Sequence, residues 1–307
     1  MLDGTILHRV YPERPDWSWK GNFGKLLVIG GSKTYSGSPG LAALAAFAAG
    51  VDQVKVFAPK RAADIAATFT PDLVTIPATG DSLGPAHVKA AVELAGLSSA
   101  VVIGGGLEQG KGTKEFVLRF LELCTKPCVI DSDAIPAVAD VPRLLKRRVL
   151  VTPHTREFWV LTGEQPEPDA EQRAQLVAKH AKMLSTTILL KGHVDVVSNG
   201  ELTEQSATGN PYMTKGGTGD VLAGIAGAFL AAGHDPFTAG CAAAWLSGAA
   251  GDFAAERAGH SLTATKVIEA IPEILAEVNQ VRRRKEEAAR AKDPRFVSIN
   301  RIADTVR

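Results

Sequence analysis

Cysteine is scarce in this sequence, with three among 307 residues, and Cys124 and Cys128 flank Pro127 with no His or further Cys at a metal-ligand spacing nearby. That excludes a cysteine-ligated metal site and leaves buried, inert thiols as the reading. Long apolar runs are also missing. The longest, such as Leu41 to Ala49, are dominated by alanine and fall well short of the ~18 residues a membrane span needs, so they suit closely packed helices instead. Nor is there an excess of one charge: the formal net charge of +1 gives no bulk electrostatic reason to expect nucleic acid or an anionic membrane as partner, and a small-molecule ligand is the default. The start, Met1 to Pro15, lacks the charged head and apolar run of a signal peptide, which makes the cytoplasm the expected location. No repeat, low-complexity linker or charge block separates two cores. With 45% hydrophobic and 22% charged residues, a sizeable core is available, and one α/β layer architecture absorbs this length.

Short β-branched runs alternate with alanine-rich stretches: Leu26 to Ile29, Gln53 to Phe57, Ala100 to Ile103, Pro127 to Ile130, Val149 to Val151, Thr187 to Leu190 and Val194 to Ser198. Most are continuously apolar, as strands buried on both faces by crossover helices are, which predicts a mostly parallel sheet with helices on each side. The last pair differs. Lys191-Gly192-His193 separates the two strands so closely that they turn back on each other before Asn199-Gly200 makes another turn. Residues 164 to 172 read as a polar, proline-containing loop or helix entry. From Pro272 onward Ile274, Leu275, Val278 and Val281 recur at helical spacing and give way to the mixed charges of 282–287, so residues 1–275 read as one domain and 276–307 as a charged helix or tail.

The strongest local signal is the glycine-rich run from Gly209 to Asp220, followed at once by the apolar stretch Val221 to Ala232. A glycine loop opening a helix leaves backbone N–H groups unobstructed and adds the partial positive charge of the helix start, a cradle for phosphate. Asp220 is the anomaly there. A carboxylate beside a bound phosphate is costly unless it captures a proton or a metal ion, which argues for a catalytic base; a plain N-terminal capping Asp is the alternative. Two further loops, Gly30 to Gly40 and Gly104 to Leu107, follow strands and should line the same crevice, since ligands collect at the carboxyl ends of parallel strands. Tight turning alone is the other explanation for each. Gly105 to Lys111 has the spacing of a phosphate-loop NTPase, but Gly112 stands where that motif needs Ser or Thr. No G-x-G-x-x-G follows the first strand, which removes the main support for a Rossmann-type oxidoreductase. His154 and Glu157, after the strand Val149 to Val151, would lie near the crevice, His154 as ligand contact or strand-end hydrogen bond and Glu157 as a charge on the first helical turn.

Taken in order, these segments resemble the ribokinase-like family of ADP- or ATP-dependent NAD(P)H-hydrate dehydratases, repair enzymes that reverse hydration of the nicotinamide ring. The resemblance runs from Gly21-Asn22-Phe23-Gly24 to about Ile274 and includes Tyr35 to Pro39, Gly104 to Leu107, Val129 to Ala134, Thr152-Pro153-His154, Lys191-Gly192 and Gly209 to Asp220, the last being the most diagnostic. It implies a three-layer ribokinase-like sandwich in which hydrated NADH or NADPH meets Ser38 or Pro39, Gly106, His154 and Asp220. Lys191, Gly192, His193, Val194, Asp195 and Gly219 would hold the nucleotide. Asp220 would take the proton from the ring hydroxyl as the terminal phosphoryl group passes to that oxygen, with backbone donors at Gly217, Thr218 and Gly219 stabilising it. Magnesium would accompany the nucleotide, the chain would form a homo-oligomer, and an epimerase of the two hydrate epimers would reside on another chain. Asp131 would orient magnesium or substrate through water, or cap the next helix. Thr155-Arg156 stands where the family often carries Pro-Gly. The competing readings are a small-molecule kinase of the same fold, acting on a pyrimidine, thiazole or pyridoxal-like ring, and a non-catalytic nucleotide sensor.

Overall fold

The computed structural model describes residues 1–292. A single sheet of nine strands runs through it in the order β3-β2-β1-β4-β5-β6-β7-β8-β9, with β1 at Lys25–Ile29, β2 at Gln53–Pro59, β3 at Val74–Ala78, β4 at Ala100–Ile103, β5 at Cys128–Ile130, β6 at Val149–Val151, β7 at Thr187–Leu190, β8 at Asp195–Ser198 and β9 at Thr203–Ser206. Strands β1 to β7 pair in parallel and β7-β8-β9 in antiparallel fashion. The continuously buried runs predicted as central strands occupy the middle of the sheet, with Leu26, Leu27, Val28 and Ile29 all at 2% exposure or less. The reason is that crossover helices cover both faces.

Among the described residues eleven helices make the outer layers: α1 (Ile6–Val10), α2 (Ser38–Ala48), α3 (Lys60–Ala66), α4 (Val88–Gly96), α5 (Lys111–Leu123), α6 (Ala134–Ala139), α7 (Thr155–Thr162), α8 (Ala170–Leu184), α9 (Thr218–Ala231), α10 (Pro236–Ala258) and α11 (Ala264–Lys292). The core on one face joins alternate strand residues such as Leu26, Val28, Val102 and Leu150 to α1, α2, α3, α9, α10 and α11. The opposite face uses Leu27, Ile29, Ile103 and Val151 against α4, α5 and α6, and a small third cluster seats α7 and α8 on Ile188, Leu190 and Val196. Among the described residues no helix is long and apolar enough to cross a membrane. The boundary read at 275 falls inside α11, and residues 293–307 of the tail lie outside the described residues.

Two strands lacked a legible signal. Strand β3 carries Pro77 and sits at the edge of the sheet, where a missing N–H costs nothing, and β9 reads Thr-Glu-Gln-Ser with no apolar run. The thiols of Cys124 and Cys128 are buried as read and lie 3.8 Å apart. They are not equivalent: the hydrogen bond from Cys128 pulls Cys124 down to about 7, against the effect of burial.

The alanine-rich sequences of α2 and α9 are explained by their contact. A Cβ at Gly224 would lie 2.1 Å from the Ala42 carbonyl oxygen, so the helices touch backbone to backbone. Because that neighbour is main chain and cannot step aside, Gly224→Ala is expected to cost about 3 kcal/mol and to lower Tm by roughly 5–10 °C. Thermal unfolding followed by circular dichroism checks this.

Candidate active site

The carboxyl ends of β1, β4, β5, β6 and β7 deliver, in turn, the loop at Gly30–Gly40, the turn at Gly104–Leu107, Asp131, the Thr152-Pro153-His154 segment and Lys191. Helix α9 begins across from them. Its N-cap, Gly217, has φ +94, and a Cβ there would meet Leu41 Cδ1 at 2.7 Å, so backbone conformation and space both call for glycine. Asp220 follows in the first turn. Its carboxylate reaches over Gly105, where a Cβ would sit 2.4 Å from Oδ1, so the sheet-end glycine makes room for the acid. Of the three amides expected as phosphate donors, that of Thr218 points at the Lys215 carbonyl at 3.4 Å, and the Thr218 hydroxyl donates to the Met213 and Lys215 carbonyls.

Asp131 is 3% exposed. Its Oδ1 accepts from the Thr152 hydroxyl at 2.6 Å and from Lys191 Nζ at 3.0 Å, so its carboxylate is spent on an ion pair and not on the cap of α6. The Lys191 ammonium also lies 3.8 Å from Glu157 Oε2. Burial works against that ammonium, but Asp131, Glu157 and Asp220 more than offset it and Lys191 holds its proton above the ordinary lysine value. The acid opposite behaves in reverse. Burial first, then the charge of Asp131, pushes Asp220 up to about 7, with the Ser38 hydroxyl and Lys191 giving partial relief. Burial likewise raises Glu157.

His154 is the N-cap of α7. Its Nδ1 accepts from the backbone of Arg156 at 3.1 Å and Glu157 at 3.2 Å, and Glu157 Oε2 accepts from the His154 backbone N–H at 2.8 Å, a reciprocal capping box. With Nδ1 engaged, the ring proton belongs on Nε2, which lies 3.5 Å from Glu157 Oε1. The helix start that often carries Pro-Gly is thus built here on Thr155-Arg156 with the histidine as the cap. Glu157 does more than charge the turn, since it joins the cap to Lys191.

A cavity of about 650 Å³ opens beside this cluster. His154, Lys191, Gly192, His193, Asp195, Thr218 and Gly219 line it, and Val194 is not among its lining residues. Ser38, Pro39, Gly105, Asp131 and Asp220 line a much smaller recess. Gly106 faces Ser38 and Tyr35. The expected residues therefore fall into two adjoining groups, one around the hairpin turn after β7 and one around Asp220. Sequence reading missed the anchor of the glycine loop. Asp252, on α10, accepts from the Gly209 backbone N–H at 2.9 Å and from Asn210 Nδ2 at 2.8 Å, and Asn210 lines the cavity. Nothing local marks a pair so far apart in the chain.

Fold and site together define a three-layer α/β protein of the ribokinase-like type, with a glycine-capped helix start beside a half-buried, proton-holding carboxylate. The chain belongs to the NAD(P)H-hydrate dehydratase family, whose model matches residues 26–273. It is 41% identical over 274 residues to the bifunctional NAD(P)H-hydrate repair enzyme Nnr of Pyrobaculum aerophilum, covering 89% of this chain and 54% of that protein. It thus spans about half the length of that curated relative. It is 36% identical over 279 residues to the ADP-dependent (S)-NAD(P)H-hydrate dehydratase of Cenarchaeum symbiosum, covering 90% of this chain and 96% of the relative. The structure is similar to that of the ADP/ATP-dependent NAD(P)H-hydrate dehydratase from Bacillus subtilis co-crystallised with ATP/Mg2+, with a TM-score of 0.73, 25% identity and coverage of 89% and 97% of the two chains.

Because burial raises Asp220 to about 7 from an ordinary value near 3.8, the folded state favours its protonated form, and the stability it withholds grows as pH rises between those two values. Asp220→Asn removes that titration. Its Tm is expected to exceed wild type by an increment that increases from pH 4 to pH 7 and is constant above, measured by calorimetry across that range.

Proposed function

We propose that this chain dehydrates hydrated NADH and NADPH, in the S form, at the expense of a nucleoside phosphate, and that ADP is the preferred donor. The observation that carries the reading is Asp220: a half-buried carboxylate raised to about 7, in the first turn of the glycine-capped helix α9. A base poised near neutrality can take a hydroxyl proton at working pH and is neutral enough to tolerate a phosphate approaching. The names of the relatives favour the same substrate and ADP.

In this reading Asp220 removes the proton from the ring hydroxyl as that oxygen bonds to the terminal phosphorus of the nucleotide, and the bond from that phosphorus to the leaving nucleotide oxygen breaks. Departure of phosphate with cleavage of the ring C–O bond, and loss of a ring proton, restores the double bond. Ser38, Pro39 and Gly106 wall the hydrated ring, and Nε2 of His154 donates towards it. Lys191, Gly192, His193, Val194 and Asp195 contact the nucleotide together with Gly219, and the start of α9 at Gly217, Thr218 and Gly219 receives the transferred group.

Magnesium fits only as the companion of the nucleotide's phosphates. Asp131 and Glu157 are oxygen donors of the right kind, but Lys191 already neutralises them, and among the described residues no group of three or more His, Cys, Asp or Glu could hold a metal. Brought in with the nucleotide, the ion would neutralise charge on the bridging phosphate oxygens. The protein works in the cytoplasm as a homo-oligomer, and it acts in sequence with an epimerase of the hydrate. The bifunctional repair enzyme among its relatives favours that link.

The test is the absorbance of reduced nicotinamide after mixing the chain with hydrated NADH, magnesium and ADP or ATP. Nucleotide-dependent recovery of absorbance with release of free phosphate is expected; a stable phosphate ester on a ring hydroxymethyl substrate would instead make it a kinase. Asp220→Asn should lower turnover by at least ~10²-fold, the scale of a positioned general base, with nucleotide affinity little changed.

A further inference from the structure

Helix α8 buries a charge that the proposed chemistry does not use. Arg173, in its first turn, is 9% exposed. Its Nη2 donates to the carbonyl oxygen of Lys191 at 2.8 Å, and its Nε has no hydrogen-bond partner. Burial pulls Arg173 below the ordinary arginine value, with Asp195 opposing. An apolar side chain of similar length would fill this space without the desolvation cost, so the charge is retained for something other than packing.

What lies above the guanidinium is the turn from Lys191 to Asp195. A Cβ on Gly192 would come within 2.5 Å of Arg173 Nη2 and 3.1 Å of Cζ, so a side chain there would push the guanidinium out of place. The turn is held from several sides. Lys191 donates its backbone N–H to the Pro153 carbonyl at 2.9 Å, its carbonyl is taken by Arg173, and its ammonium goes to Asp131. Gly192 N–H donates to Asp195 Oδ1 at 2.8 Å and closes the turn on itself. With the Lys191 carbonyl drawn down onto Arg173, Gly192, His193 and Asp195 are presented to the cavity.

We propose that Arg173 is a positioning residue for nucleotide binding: from beneath the Lys191–Asp195 turn, its guanidinium fixes the shape in which that turn meets a phosphorylated ligand. The inference rests on the reading of the turn as a nucleotide contact. Arg173 touches neither substrate nor reacting atoms. Two charged groups act on Asp195, Lys191 from the end of β7 and Arg173 from α8, and both oppose the burial that lifts it to about 6.

The experiment uses the full chain with Arg173→Met, Arg173→Lys and Gly192→Ala, measuring ADP binding by calorimetry and steady-state kinetics in both substrates. Arg173→Met is expected to raise the Kd and KM for ADP by about 10-fold, the scale of one hydrogen bond from a charged donor. At saturating ADP, kcat and the KM for hydrated NADH should stay within about 2-fold, and Arg173→Lys should recover part of the affinity, since it keeps the charge but not the planar fork. ADP affinity is expected to inflect near pH 6, where Asp195 titrates, and that inflection should move to higher pH in Arg173→Met, because the guanidinium that holds Asp195 down is gone. Gly192→Ala, which displaces the guanidinium while Arg173 itself is kept, should weaken ADP binding by a similar factor, a readout that survives if Arg173→Met fails to fold. Unchanged ADP affinity in folded Arg173→Met overturns the proposal, as does an equal loss in kcat and in both KM values. If the wild-type chain binds no ADP or ATP, the nucleotide reading and this inference fall together; if it binds and Arg173→Met binds equally well, only this inference falls.

Discussion

The ammonium of Lys191 is the pivot on which the crevice turns. It sits 3.0 Å from Asp131 and 3.8 Å from Glu157 and relieves Asp220 as well, so three acids from β5, α7 and α9 can converge at one end of the sheet. Without a cation among them, mutual repulsion and burial would force protons onto the acids. With it, the acids separate in behaviour: Asp131 is tied to a partner, and Asp220, further from the cation, is left holding its proton up to about 7. A division between a paired carboxylate and a poised one is what acid–base chemistry at neutral pH requires.

That arrangement depends on glycine supplying volume as much as conformation. At Gly104, φ is +141 and a Cβ would fall 1.7 Å from the Asp131 carbonyl oxygen; at Gly105 it would strike the Asp220 carboxylate. These two residues follow β4, and it is their lack of a side chain that allows the segment after β5 and the start of α9 to bring their acids together over the carboxyl end of the sheet. The same economy recurs between α2 and α9, whose close approach carries Ser38 to within reach of Asp220. Packing and chemistry are set by the same contacts.

The parallel core was legible because buried strands and alanine-rich crossover helices each leave a local composition. So was the start of α9, since glycines and a following apolar run are contiguous in the chain. Strands β3 and β9 were not, being edge strands fixed by their neighbours, one interrupted by Pro77 and the other polar throughout. The ion pair of Asp131 with Lys191, the anchoring of Gly209 and Asn210 by Asp252, and the Arg173 support are all pairings between distant segments, and periodicity carries no trace of them. His154 shows a third case. Its position near the crevice was readable, but its duty as the cap of α7 depends on a backbone geometry that residue type alone does not specify.

The Asp252 anchor has an entropic side. By fastening Gly209 and Asn210 to α10, it removes the near end of the glycine loop from the set of conformations the loop can sample, while Gly217 fixes the far end as the start of α9. Only the short arc between them has freedom left to lose when a ligand arrives. A tethered arc gives up less disorder on closing than an open loop of the same composition would, so more of each contact it makes is available as affinity. A carboxylate on a distant helix thereby sets how much freedom the loop keeps.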